Sequence, residues 1–351
     1  MINKHNLEQM NFLLSSSRKI LCIGAKYVYK DFIKPYCIDK KVLPFPNAIY
    51  DPFPQRHPSH ISEIPVLELK NICTEDPYTS LIIIVEEDEP FYKILGKLYD
   101  QLIAYYFPIL PCTAIEAYYF AVDNVNNINS TLDLFHDKYS RDLYENYWLS
   151  RIYGIVYNPM LYSKYPYFGN DIIPKLSDDD IIISGGAYNG KHIERALKMN
   201  PQISAYLFEP NKKYYQFLKD TYKENSKIKV FDYALYNTKS SIPFDLSDEL
   251  GAQIVDNNSK YDYMVNTIPF DELNLGKVSL IELDIEGSEI EALIGMQKTI
   301  QKYRPKLAIC IYHKISDYIE IPKLILNINP QYTLFFRQHS CYYEESVLYA
   351  I

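Results

Sequence analysis

From Asp178 to the end of the chain, short apolar runs alternate with segments of helical spacing, and this alternation constrains the fold more than any other feature. Strands are expected at 181–184, 205–208, 228–233, 278–284, 306–312, 332–338 and 346–350. Helices are expected at 192–199, 212–224, 288–302 and 317–326. Strands alternating with helices build a parallel sheet covered on both faces. Only a short link, Gln338 to Glu345, joins the last two strands. A link that short forces them antiparallel. The expected fold class is therefore α/β, with a seven-stranded sheet over 171–351 whose last strand is antiparallel.

The 351 residues suit two domains. The first region opens with an apolar run, Lys19-Ile20-Leu21-Cys22-Ile23, followed by Gly24-Ala25. A helix is expected at 27–36, and the prolines of 45–65 predict loops and short edge strands. A buried strand is expected at 80–85, and a helix at 91–105 with Ile94, Leu95, Leu98 and Leu102 on one side. This reads as a smaller Rossmann-like α/β module over 1–112. Lys26 and Tyr29 stand where a dinucleotide fingerprint needs glycines, so a structural or interaction role is expected there. Residues 113–170 read as a helical connector. Its amphipathic helix at 140–157 carries Leu143, Tyr147, Trp148 and Ile152 along one side.

Charge excludes some functions. With 36 basic and 44 acidic residues the net charge is −8, which argues against nucleic acid as a ligand. None of the six cysteines forms a C-x-x-C pair, and Cys22, Cys112, Cys310 and Cys341 sit beside apolar stretches. Buried free thiols in a reducing compartment are expected. The first residues show no secretion signal, and no run is long enough to span a membrane. A cytoplasmic protein is the expectation. The 35 tyrosines suit stacking on sugars, and they equally suit an AT-rich coding bias.

The chemistry-bearing residues lie at the carboxyl ends of the expected strands. The first strand ends in Ser184-Gly185-Gly186-Ala187-Tyr188-Asn189-Gly190, with a helix following. Glycines there admit close approach of a ligand, and a helix amino-terminus attracts negative charge. An ordinary tight turn gives the same pattern. Glu209 lies 19 residues beyond Gly190, where a carboxylate accepts from both ribose hydroxyls of a bound nucleotide, or caps the next helix. Asp232 could accept from an adenine amino group and Tyr233 could stack on the ring; both could also be turn residues. The fourth strand runs into Asp284, Glu286 and Glu289. Glu286 and Glu289 suit the positive end of the following helix, whereas Asp284 is expected to face the crevice.

The run Asp284-Ile285-Glu286-Gly287-Ser288-Glu289, the run Arg304-Pro305 to Tyr312-His313, Ile321-Pro322 and Glu345-Ser346 to Ala350 together resemble the FkbM-type methyltransferase family. Tyr167-Phe168, Gly186-Ala187 and Phe208-Glu209-Pro210 fall in the same order. The resemblance covers about 140–351. It implies an S-adenosylmethionine-dependent O-methyltransferase acting on a sugar, a glycoconjugate precursor or another small molecule. Ser184, Gly186, Ala187, Gly190, Glu209, Asp232, Tyr233 and Asp284 would then hold the cofactor. Two positions depart from the family pattern: Ser184 stands where an acidic residue is usual, and Glu282 where lysine is frequent.

For transfer to a hydroxyl, a base must take the acceptor's proton. His313, closing the fifth strand, is the first candidate, and Asp284 the second. Asp284, Glu286 and His313 could hold a divalent cation such as Mg²⁺ beside a diol. They lack the spacing of a dedicated metal motif, so a metal is not the favoured reading. Two other readings stand beside the enzyme: a decayed methyltransferase fold used for binding or as a scaffold, motivated by Ser184 and Glu282, and a nicotinamide-dependent oxidoreductase using the first module.

Overall fold

The computed structural model describes residues 2–15, 19–77, 79–85, 102, 109–154, 163–246, 252–255, 259–340 and 345–351. The chain divides into two compact units, Met1–Val125 with Trp148–Ile155, and Asn126–Tyr147 with Val156–Ile351.

In the first unit, strands β1 (Lys19–Ile23), β2 (Ala48–Asp51), β3 (His60–Ile61), β4 (Ile64–Glu68), β5 (Ser80–Ile84) and β6 (Ile109–Pro111) form one sheet in the order β3-β4-β2-β1-β5-β6. All pairs are parallel except β3 with β4. Leu21, Ile23, Tyr50, Ile82 and Ile84 build its core. The proline-rich segment departs from its expectation of loops and edges. β2 is an internal strand, buried at every residue, because Pro46 and Pro52 flank it and leave its own N–H groups free to pair. The expected helix at 27–36 is a π-helix, Val28–Asp39, with Pro35 inside it. The helix expected at 91–105 lies outside the described residues except for Leu102, which is buried. Cys22, Cys112 and Cys310 are buried free thiols; Cys341 lies outside the described residues.

In the second unit, β7 (Ile181–Gly185), β8 (Ser204–Phe208) and β9 (Ile228–Phe231) come first. The short strands β10 (Ala234–Leu235), β11 (Ser240–Asp245), β12 (Gln253–Ile254) and β13 (Tyr263–Ile268) follow. β14 (Leu280–Leu283), β15 (Lys306–Cys310), β16 (Leu334–Gln338) and β17 (Ser346–Ala350) complete the unit. The large sheet has the order β16-β17-β15-β14-β7-β8-β9. β17 runs antiparallel to both neighbours, and β14, β15, β7, β8 and β9 are parallel. This is the seven-stranded arrangement expected from the sequence. The order reverses between β7 and β14, so the loops after those strands diverge and leave a crevice at their carboxyl ends.

Two features differ from expectation. The strands β10, β11, β12 and β13 form a second, four-stranded sheet in the order β10-β13-β11-β12. The helix expected at 288–302 is two helices, Glu289–Gly295 and Gln297–Tyr303, broken at Met296. Asp271 causes the break from outside: its carboxylate accepts the N–H of Lys298 at 2.8 Å, and the N–H and hydroxyl of Thr299 at 2.9 and 2.6 Å. It thereby caps a new helix start.

The helix Lys138–Tyr153 buries Leu143, Tyr147, Trp148 and Ile152, as its spacing predicts. Tyr147 stacks on Tyr318 at 3.9 Å, and the Tyr144 hydroxyl donates to the Tyr318 carbonyl. Arg337 on β16 is the charged anchor of this region, with its side chain 3% exposed. It donates to Asp171 Oδ2 at 2.6 and 2.9 Å, to Asp137 Oδ2 at 2.8 Å and to Ser140 Oγ at 2.8 Å. Arg337→Ala leaves these acceptors without their donor. It should lower stability by about 2–4 kcal/mol, the lower part of the range for breaking a buried pair because Asp171 is half exposed,. Denaturant unfolding of the full chain checks this.

Candidate active site

A cavity of about 580 Å³ opens at the carboxyl ends of β7, β8 and β14, within the size range of small-molecule sites. Gly186, Ala187, Glu209, Tyr233 and Asp284 line it together. Ser184, Gly190, Asp232 and His313 are not on its wall.

Gly186 is the pivot of the wall. It has φ +73, and a Cβ there would lie 1.9 Å from the Asp284 carbonyl oxygen. Only glycine fits the turn where the β7 and β14 loops touch. The amides of this turn are less available than the sequence implies. Gly186 N–H and Ala187 N–H both donate to the Phe208 carbonyl, and Tyr188 N–H donates to Glu209. The glycine therefore contributes space rather than donors. Gly190 sits behind, in the left-handed position that starts the helix Lys191–Met199.

Glu209 is 5% exposed. Its Oε2 accepts from Tyr188 N–H at 2.7 Å and its Oε1 from Asn211 N–H at 2.8 Å. It thus pins the glycine turn to the start of the helix Lys212–Tyr222, whose amino-terminal cap is Asn211 rather than Glu209. Burial pushes its carboxyl up to about 7, against the pull of those two N–H groups. Each oxygen keeps a lone pair for a further donor. Tyr233 lines the cavity, whereas Asp232 is exposed and points elsewhere. Phe244, Ala252 and Ile254 of the small sheet add an apolar wall.

Asp284 is the first residue beyond β14. Its Oδ2 accepts from the Tyr167 hydroxyl at 2.8 Å and its Oδ1 from the Tyr312 hydroxyl at 3.1 Å. Behind it lies His313, with Nε2 3.3 Å from Asp284 Oδ1 and 3.4 Å from Glu286 Oε2, and Nδ1 3.0 Å from Glu289 Oε1. Burial opposes a charge on His313, but Asp284 and Glu289 outweigh it and raise the imidazole to about 11. Burial likewise opposes ionisation of Asp284, and His313 and the Tyr167 hydroxyl reverse that and hold it below its ordinary value. Glu289 stands in the first turn of the helix Glu289–Gly295, as its position suggests. It is fully buried, facing His313 and accepting Ile285 N–H at 2.9 Å.

Ser184 Oγ donates to Glu282 Oε1 at 2.5 Å across the β7–β14 pair, both groups buried. The two unusual residues are therefore one contact, which puts a carboxyl beside the β7 position on the neighbouring strand. Burial raises Glu282 to about 7 despite the Ser184 hydroxyl.

The sequence reading missed His192 and Tyr312. His192 lines the cavity near the start of its helix and meets the Tyr167 ring edge-on at 4.6 Å. Burial lowers it to about 4, so it is neutral near pH 7. Its place just after the glycine turn was the available signal. Tyr312 adjoins His313 in sequence, but its bond to Asp284 is purely tertiary.

Residues 184–336 match the family model described as the methyltransferase FkbM domain. By structure, the chain is similar to the methyltransferase FkbM from Methylobacillus flagellatus KT, with a TM-score of 0.66 and 17% identity over 99% of this chain and 93% of that one. This likeness is one of fold. The precorrin-6y C5,15-methyltransferase from Geobacter metallireducens GS-15 aligns at a TM-score of 0.34 and 10% identity, over 50% of this chain and 81% of that one. An rRNA methylase from Streptococcus thermophilus aligns at 0.34 and 12%, over 50% and 88%. No curated protein matches the sequence. Among the described residues no helix is long and apolar enough to cross a membrane.

Gly186→Ala should destabilise the second unit by about 2 kcal/mol or more, through the positive φ and the collision with Asp284. Thermal unfolding of the variant reads this directly.

Proposed function

We propose that the chain, whose residues 184–336 match the methyltransferase FkbM domain model, is an S-adenosylmethionine-dependent methyltransferase that methylates a hydroxyl group on a sugar or glycoconjugate precursor. The observation that carries this reading is the meeting of Gly186, Glu209 and Asp284 on one cavity wall.

When bound, S-adenosylmethionine supplies a methyl carbon made electrophilic by its sulfonium, and the S–C electron pair stays on sulfur as the O–C bond forms. The residues present suit that cofactor. The missing Cβ at Gly186 leaves a cradle, and Glu209 has lone pairs for the two ribose hydroxyls. Tyr233, Phe244 and Ile254 offer an apolar surface for the base. Ala187 closes the turn, and Gly190 sets the helix behind it. Ser184 acts through Glu282.

The other end of the cavity is polar, with Asp284, Glu286, Ser288, Tyr312 and Glu345. Such a wall suits an acceptor rich in hydroxyls. Asp284 is the better proton acceptor of the two candidates, since it is ionised and on the wall. His313 is already protonated; it holds Asp284 charged and in place. A carboxylate positioned against the hydroxyl accepts its hydrogen bond and then its proton as the new bond forms.

Two experiments test the proposal. Calorimetry with S-adenosylmethionine should show saturable binding. Hydroxyl donors favour the ionised form of Glu209, so binding should release a proton. Affinity should rise by up to about tenfold per pH unit as pH climbs toward 7, and level off above it. Glu209→Gln should lose that slope and weaken binding by about 1–3 kcal/mol. An unchanged slope rejects the ribose assignment. With a labelled methyl donor and a carbohydrate extract, label should appear as alkali-stable methyl ethers. Label found only on nitrogen or carbon would reject the hydroxyl acceptor.

A further inference from the structure

We propose that Asp284, Glu286 and His313 form a binding site for one divalent cation of the kind that takes oxygen and imidazole ligands together, such as Mn²⁺. The three ligand atoms lie within 4.8 Å of one another. His313 Nε2 is 3.3 Å from Asp284 Oδ1 and 3.4 Å from Glu286 Oε2. Ligands held at right angles, ~2.1–2.3 Å from a cation, sit ~3.0–3.3 Å apart. The edges through His313 therefore have nearly the length that a shared cation needs.

The imidazole itself points to a ligand. Its side chain is 7% exposed, yet Nε2 makes an aligned hydrogen bond to neither carboxylate. It lies at nearly equal distances, 3.3 and 3.4 Å, from the two. Only the neutral ring offers Nε2 a lone pair, so the proton that His313 carries in the cation-free protein leaves as the cation binds.

The surroundings are those of a ligand set held in advance. A metal-binding histidine turns its other nitrogen to a carboxylate that fixes the ring. Here Nδ1 lies 3.0 Å from the fully buried Glu289 as an ion-pair contact, and like Nε2 it makes no aligned hydrogen bond. Asp284 is oriented in turn by the hydroxyls of Tyr167 and Tyr312. The carboxyl groups of Asp284, Glu286 and Glu289 lie 3.3, 3.4 and 3.0 Å from the imidazole nitrogens. The mixed donor set, two carboxylates and one imidazole, suits Mn²⁺ better than Mg²⁺, which prefers oxygen alone.

Asp284 and Glu286 both line the cavity, so the cation would adjoin the acceptor. The inference rests on the reading above for where the acceptor lies, and it deepens that reading by naming what activates its oxygen. A cation there draws electron density from the acceptor hydroxyl, whose proton passes to water. It shares the task given above to Asp284 alone. An acceptor with two adjacent hydroxyls fits such a site best.

The full-length protein, stripped of metal with EDTA and desalted, is titrated with MnCl₂ without S-adenosylmethionine, and free Mn²⁺ is read by electron paramagnetic resonance. One Mn²⁺ should bind per chain. Glu286→Gln and His313→Gln should each weaken that binding about tenfold or more. Absence of saturable binding to the unaltered protein overturns the proposal, as does equal affinity in both variants. S-adenosylmethionine binding is measured in parallel by calorimetry in EDTA. Its retention shows that each variant is folded. If the unaltered protein binds the cofactor but no Mn²⁺, the cation site alone is defeated. The reverse outcome defeats the methyltransferase reading and leaves the cation site standing.

Discussion

The backbone contact between Gly186 and Asp284 is the constraint on which the rest of the second unit depends. β7 and β14 are neighbours, and the loops that leave them separate only after this touching point. A side chain at 186 would push the two loops apart and carry Asp284 with them. Tyr167 and Tyr312, which hold the Asp284 carboxylate, would lose their acceptor. The cavity exists because the strand order reverses here, and its shape exists because residue 186 has no side chain. Glu209 completes the constraint from the other side by taking the Tyr188 amide of the same turn.

Much of the large sheet was legible in the sequence because its strands are buried on both faces. Runs such as Ile181-Ile182-Ile183 and Lys306-Leu307-Ala308-Ile309-Cys310 have no reading except strand or core helix, and the glycines and prolines around them decide between the two. The antiparallel closure was legible from a single short link. The four-stranded sheet was not. Its strands are short and half exposed, and Tyr263-Met264-Val265-Asn266 alternates too weakly to separate from loop. The break at Met296 was hidden for another reason. It is imposed by Asp271, a residue distant in sequence, and no local propensity reports it.

The same division runs through the site. Gly186, Glu209 and Asp284 were legible because each sits at a strand end, where topology brings loops together whatever the details. Asp232 also sits after a strand but is exposed, because β9 stops at Phe231 and the chain turns toward β10. Glu289 does open its helix, but its burial against His313 was not legible, because that depends on β15 ending beside the helix. His313 drew attention as a lone imidazole of ordinary acidity. Asp284 and Glu289, which follow another strand, set its charge.

The Ser184–Glu282 contact has a consequence for substitution. Each residue sits where the related pattern has a different one, and they face each other across two paired strands with no room for water. An acid brought to 184 alone would bury two carboxyls side by side. A lysine brought to 282 alone would bury an ammonium near the Arg195 guanidinium, with the Ser184 hydroxyl and the Asp284 carboxylate as its acceptors. Either single step incurs the cost of burying a charge. The two positions are therefore coupled: a substitution at either one changes the environment of the other.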